Sequence, residues 1–234
     1  MADRRSVDSA LPTVHAGRAD AGPTEVLDAL QLLLQVEYLQ SGLFALTAAS
    51  TGLVPTVDAP VFSALETNSS QHLVKITGAI TERTGTPGPS PVFDFTVKGA
   101  FPGFAFAAGQ YPTLQMLAQV VEDLGVRAYL GQIAVLASDK TALNTAVTIL
   151  TVKGRHASEV RRLRGTKGWI TGNSRDDLPA SVQPVYDGED NVTQGAVDVA
   201  AAAGGVGGTP TATEAFDEPL TSAQVSAILA LFVA

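Results

Sequence analysis

A long proline-punctuated stretch at residues 85–112 separates the second and third of four apolar-patterned segments, and no other feature constrains the fold as strongly. Pro87, Pro89, Pro91, Pro102 and Pro112 rule out a continuous helix there, because each lacks the N–H that a helix needs. Phe93, Phe95, Phe101, Phe104 and Phe106 lie among them, so the stretch reads as a crossover ordered by its own aromatic side chains. A simple up-and-down bundle needs only short loops. One long link between the second and third helices instead specifies an all-α, up-down-down-up four-helix bundle.

The flanking segments carry the helix signals. Residues 26–49 place Val26, Leu27, Leu30, Leu33, Leu34, Val36 and Leu39 nearly all round the wheel, the pattern of a mostly buried helix, with Thr24 as the expected N-cap. A second helix is expected over 59–83, opening near Pro60 and closing at Gly85. The third is expected over 113–130, broken at Gly131 and followed by a short helix at 133–137; the fourth runs over 140–163 and ends at Gly165. Residues 24–165 are thus the bundle. Residues 1–23 lack periodicity and read as an extended N-terminal arm, and 166–218 as a loop-rich insertion containing an Ala/Gly tract at 200–208. Residues 219–234 read as a short C-terminal helix, capped by Thr221 and Ser222, that packs on the bundle.

Composition narrows the function. The formal net charge is -8 and no basic run exists, which disfavours nucleic acid and anionic membranes as partners. Cysteine is absent, so disulfides, thiolate metal sites and cysteine nucleophiles are excluded. The most apolar runs are broken by Glu37, Glu122 or Lys153, so no transmembrane segment is expected. The N-terminus as written has an Arg pair without an apolar stretch behind it, which points to a cytoplasmic protein unless a processed leader directed export.

Di-iron helical bundles draw one Glu from each of two helices and a Glu-x-x-His pair from each of the other two. Spacing of three puts both members of such a pair on one helix face. Here Glu37 lies midway along the first helix and Glu122 along the third. The second helix carries Ser69 and His72, and the fourth Lys153 and His156, in the two Glu-x-x-His frames. Only three histidines occur in the chain, and two of them fall in those frames.

Several stretches resemble the ferritin-like family of desiccation-associated proteins: VEYL around Glu37, FDF at 93–95, VEDLGVRAYLG at 121–131, ILTVKGRHA at 149–157 and EAFDEPLT at 214–221. The corresponding family stretches resemble FEDTGVAAYLG and VEARHA. The resemblance covers roughly residues 24–165 and the last twenty or so, leaving out the arm and 169–213. It implies a ferritin-like bundle in which Glu37, His72, Glu122 and His156 match metal-ligand positions. Ser69 and Lys153 depart from it, standing where the family has the metal-bridging carboxylates. The local charge falls from about -4 in that pattern to about -1, too little for two irons. The six positions Glu37, Ser69, His72, Glu122, Lys153 and His156 therefore read as a vestigial metal site, with Lys153 supplying the cation that Glu37 and Glu122 would otherwise lack.

Plainer roles compete for individual residues. His72 and His156 read as core histidines hydrogen-bonded to carboxylates, ahead of ligands for one divalent metal such as zinc or manganese. His15 reads as a solvated or interface residue of the arm, Tyr38 and Tyr129 as core or rim, and Arg161, Arg162 and Arg164 as complements to a helix C-terminus. Glu66 lies six residues before His72 and faces elsewhere. The functional expectation is a non-catalytic structural or stress-associated protein, with no cofactor, acting in a homo-oligomer or larger assembly. The alternatives are a di-iron or single-metal oxidoreductase using Glu37, His72, Glu122 and His156, and a binding module built on the aromatic crossover. The arm and the Ala/Gly tract lack the apolar content to order themselves, so the arm and the 169–213 insertion are expected to lie against another chain.

Overall fold

The computed structural model describes residues 21–202 and 206–234. Four long helices form the molecule: α1 (Pro23–Ala49), α2 (Ala59–Thr81), α3 (Tyr111–Leu136) and α4 (Lys140–Leu163). Short links join α1 to α2 and α3 to α4, so each pair packs as a hairpin; α1 on α3 and α2 on α4 close the bundle. Among the described residues the fold is all-α apart from a two-stranded ribbon, β1 (Thr193–Gln194) with β2 (Val197–Asp198). Three short helices follow: α5 (Val199–Ala202), α6 (Gly208–Thr213) and α7 (Ser222–Leu229). Among the described residues no helix is long and apolar enough to cross a membrane.

Local chemistry sets the helix ends, and some differ from expectation. The N-cap of α1 is Gly22, not Thr24: the Glu25 carboxylate reaches back to accept the Gly22 N–H at 2.7 Å, and Pro23 needs no hydrogen bond in the first turn. Helix α2 stops at Thr81, two residues short of its expected end. Asp139 caps α4, accepting from the N–H groups of Thr141 and Ala142 at 3.0 Å each. Helix α3 continues through Gly131 rather than breaking there. That glycine marks a close approach, because a Cβ would collide with the Leu220 carbonyl oxygen.

From Leu117 to Tyr129 every residue of α3 is buried, making it the central helix. Leu30, Leu33, Leu34, Leu39 and Leu43 of α1 are wholly buried beside it, each stabilising the fold by about 1.5–3 kcal/mol. The crossover packs its own rings, with Phe95 against Phe106 at 5.4 Å and Phe104 against Phe106 at 4.7 Å between centroids. Its Phe93 pairs with Val233 in a β-bridge, tying the C-terminus to the crossover.

Part of the loop-rich segment after the bundle packs on α3. A 3-10 turn at Ala180–Val185 buries Val182 and Val185, with Tyr186 beside them. Arg127 holds it there, donating to the carbonyls of Val185, Asp187 and Glu218 and pairing with Glu189 at 2.5 Å. The C-terminal α7 packs on α1 and α3, shorter than expected at Ser222–Leu229. The arm lies outside the described residues except at its end, and His15 with it.

Candidate functional site

Each long helix delivers side chains to the middle of the bundle: Glu37 from α1, Ser69 and His72 from α2, Glu122 from α3, Lys153 and His156 from α4. All six are buried. The i, i+3 spacing aligns Ser69 with His72 and Lys153 with His156 on inward faces. Glu66 points away and accepts from the Ser70 hydroxyl at 3.2 Å.

Lys153 and Glu37 form the centre. The ammonium nitrogen is 2.8 Å from Glu37 Oε1, and the Tyr129 hydroxyl donates to the same oxygen at 2.5 Å. Lys153 also donates to Gln40 Oε1, while Gln40 Nε2 donates to the Val121 carbonyl at 2.7 Å. The ammonium sits 5.1 Å from the centre of the Tyr129 ring, a cation–π distance. Gly125 makes room: a Cβ there would clash with Gln40 Nε2 and lie 3.2 Å from Lys153 Cδ.

The histidines are arranged differently. Their rings stack with centroids 6.1 Å apart. His72 Nδ1 is 3.8 Å from Glu37 Oε2, and His156 Nδ1 is 3.6 Å from Glu122 Oε2. Both separations exceed a hydrogen bond, which corrects the expectation of carboxylate-bonded histidines. His156 Nε2 instead meets Asn68 Nδ2 at 3.0 Å. Glu37 Oε2, both Glu122 oxygens, both Nδ1 atoms and Ser69 Oγ lack hydrogen-bond partners among the described residues.

Burial dominates the protonation of these groups. It raises the Glu37 carboxyl above its ordinary range, and Lys153 and Tyr129 work against that rise. It pushes His72 down to about 3, helped by the positive charge of Lys153, so this imidazole is neutral. Tyr129 is driven well above its usual value by burial and the adjacent Glu37, so its hydroxyl stays a donor.

The donor set does not fit a pair of irons. Lys153 and Ser69 bring no carboxylate to the site, and an ammonium pointed at Glu37 repels a cation there. Among the described residues no three carboxylate or imidazole groups are placed to share one ion. The orphaned oxygens of Glu122 and the two free Nδ1 atoms do not converge into such a set.

A second polar cluster has no counterpart in the sequence expectations. Arg161, expected to complement a helix end, is buried and pairs with Asp123 through both Nε and Nη2, the latter at 2.6 Å. Tyr186 donates to the same carboxylate at 2.9 Å, and Asp176 lies 3.2 Å from Arg161 Nη1. The available signal is the pair of charges Asp123 and Arg127 in a mostly apolar helix, where burial demands partners for them.

The family model of the ferritin-like domain matches residues 25–166. The chain belongs to the ferritin-like domain family. The chain is similar to the crystal structure of a conserved hypothetical protein from Mycobacterium tuberculosis, with 17% identity and a TM-score of 0.48, over 62% of this chain and 94% of that one. No curated protein matches the chain.

Proposed function

We propose that this ferritin-like chain is a non-catalytic structural protein, with a stress-associated role, whose bundle centre is held together through Lys153 rather than by metal. One observation carries the reading: the buried Lys153 ammonium lies 2.8 Å from Glu37 and stands three residues before His156, in the frame of a bridging carboxylate. An ion pair of this kind supplies the charge balance that a buried carboxylate requires. Fold alone assigns no activity, so the site's own charges must decide.

Metal analysis by mass spectrometry of protein purified from its source, and again after aerobic loading with ferrous iron, should find no stoichiometric metal. Two irons per chain with ferroxidase turnover would overturn the proposal. The double variant Ser69→Glu with Lys153→Glu should gain iron binding, since it restores the two missing carboxylates.

The same reading places the protein in an assembly of its own copies. Its support is the composition of residues 1–20, too polar and Gly/Ala-rich to build a core. Removing residues 1–20 should leave the helical content unchanged and lower the particle mass seen by light scattering. A full-length protein that runs as a monomer would rule the assembly out.

A further inference from the structure

The buried amine of Lys153 lies between two acyl groups, and the scaffold reading above, on which this inference rests, leaves that nucleophile without a task. We propose that Lys153 and Gln40 join in an intramolecular isopeptide bond that staples α4 to α1 through the bundle centre. Three features of the site support it.

The first is placement. Lys153 Nζ donates to the Gln40 carboxamide oxygen and lies 2.8 Å from Glu37 Oε1, and all three side chains are buried. The Gln40 amide cannot turn away, because its Nε2 is held by the Val121 carbonyl at 2.7 Å. Amine and carboxamide are therefore fixed against each other, which replaces a bimolecular encounter by an intramolecular one.

The second is a place for the proton. An ammonium is not a nucleophile, and Glu37 Oε1 is the acceptor within reach. Burial holds the Glu37 carboxyl above its ordinary range, which favours its neutral form, and the Tyr129 hydroxyl fixes its orientation at 2.5 Å.

The third is space and dryness. Gly125 opens α3 where Gln40 and Lys153 meet, and any larger residue there would collide with the carboxamide nitrogen. Lys153, Gln40 and Glu37 are each at most 1% exposed, so water does not compete with the amine for the acyl carbon.

The step balances without a co-reactant. Lys153 passes one proton to Glu37, and its freed lone pair attacks Gln40 Cδ. Glu37 then gives that proton to the departing Nε2 and takes one from the attacking nitrogen. The Cδ–Nε2 bond breaks, ammonia leaves, and a neutral Glu37 remains beside a new secondary amide. Nothing is oxidised or reduced. Gln40 is the better acceptor than Glu37, whose carboxylate carbon resists attack while ionised and would have to lose water.

Intact-mass measurement of the denatured full-length protein tests the bond. The expected mass is lighter than the sequence requires by one ammonia, and Lys153→Met and Gln40→Leu should each return to their sequence mass. These readings do not depend on the variants folding. Trypsin should leave a branched product joining residues 19–75 to 141–155, uncleaved after Lys153. Loss of one water with a branch at Glu37 would overturn the assignment to Gln40. A mass equal to the sequence would overturn the bond and leave the metal-free reading standing, whereas two irons per chain would overturn that reading whatever the mass.

Discussion

Lys153 brings its charge to a point where Glu37 is the nearest compensating group, and both are wholly buried. Removing one member of such a pair leaves the other charge stranded in a poor solvent, which costs more than the pair itself contributes. Glu37→Gln keeps the shape and removes the charge. It also removes the acceptor for the lysine proton, so the linkage to Gln40 should not form. The expected loss is about 1–3 kcal/mol, read as a lowered thermal midpoint. Lys153→Met in the same background should recover the part due to the stranded charge, while any part due to the lost linkage remains. An unchanged midpoint in the single variant would mean that the two residues are not coupled. At the residue scale the sequence is informative about position: the i, i+3 frames alone are enough to turn Ser69, His72, Lys153 and His156 inward. It is silent about Gln40 and Tyr129. Neither belongs to a ligand frame, and their part depends on which rotamers α1 and α3 bring together across the bundle.

At the scale of elements, the helix boundaries follow from caps that lie far apart in sequence. Asp139 closes the N-terminus of α4 and also takes a two-point contact from Arg83, with Nε at 2.7 Å and Nη2 at 2.6 Å. These bonds favour the ionised carboxylate and hold its pKa down to about 2 against an ordinary 3.8, with Arg83 the leading cause. A carboxylate depressed in this way binds protons more readily when unfolded. Its stabilisation is therefore present above pH 3.8 and is lost as the pH falls towards 2. Asp139→Ala should cost about 1 kcal/mol at neutral pH as a lost cap. The gap between variant and parent should close in melts taken below the carboxylate range, and a gap that persists there would refute the assignment. Gly131 shows why one boundary departs from its sequence signal. A glycine after a helical run is statistically a stop, but here it is the contact point for Leu220, far later in the chain.

At the scale of the whole molecule, the ferritin-like bundle and the segment after it are one packed body, and Arg127 is the reason. Periodicity makes the bundle legible because its apolar residues recur at helical spacing over four long segments. The segment 166–218 has no such period, and its described residues are held by side chains buried against the bundle, Val182, Val185 and Tyr186 among them, together with polar contacts to α3. Arg127 is 1% exposed and reaches Glu218 O at 2.8 Å, Asp187 O at 2.9 Å and the Glu189 carboxylate at 2.5 Å. Glu189 in turn accepts the Glu218 N–H at 3.0 Å, so one guanidinium ties the middle of the segment to its C-terminal end. Arg127→Met preserves much of the buried stem and removes the donors. It leaves the Glu189 carboxylate buried without a counter-charge, a loss of about 3–5 kcal/mol for the clamp. The four bundle helices keep their own cores, since the leucines of α1 and the inner face of α3 do not depend on Arg127. Limited proteolysis should therefore cut the variant within 166–218 well before the parent, while circular dichroism retains most of the helical signal. Equal cleavage of variant and parent would show that the buried side chains Val182, Val185 and Tyr186 hold the segment without the clamp. Loss of the helical signal together with rapid cleavage would show that bundle and segment fold as a single cooperative unit.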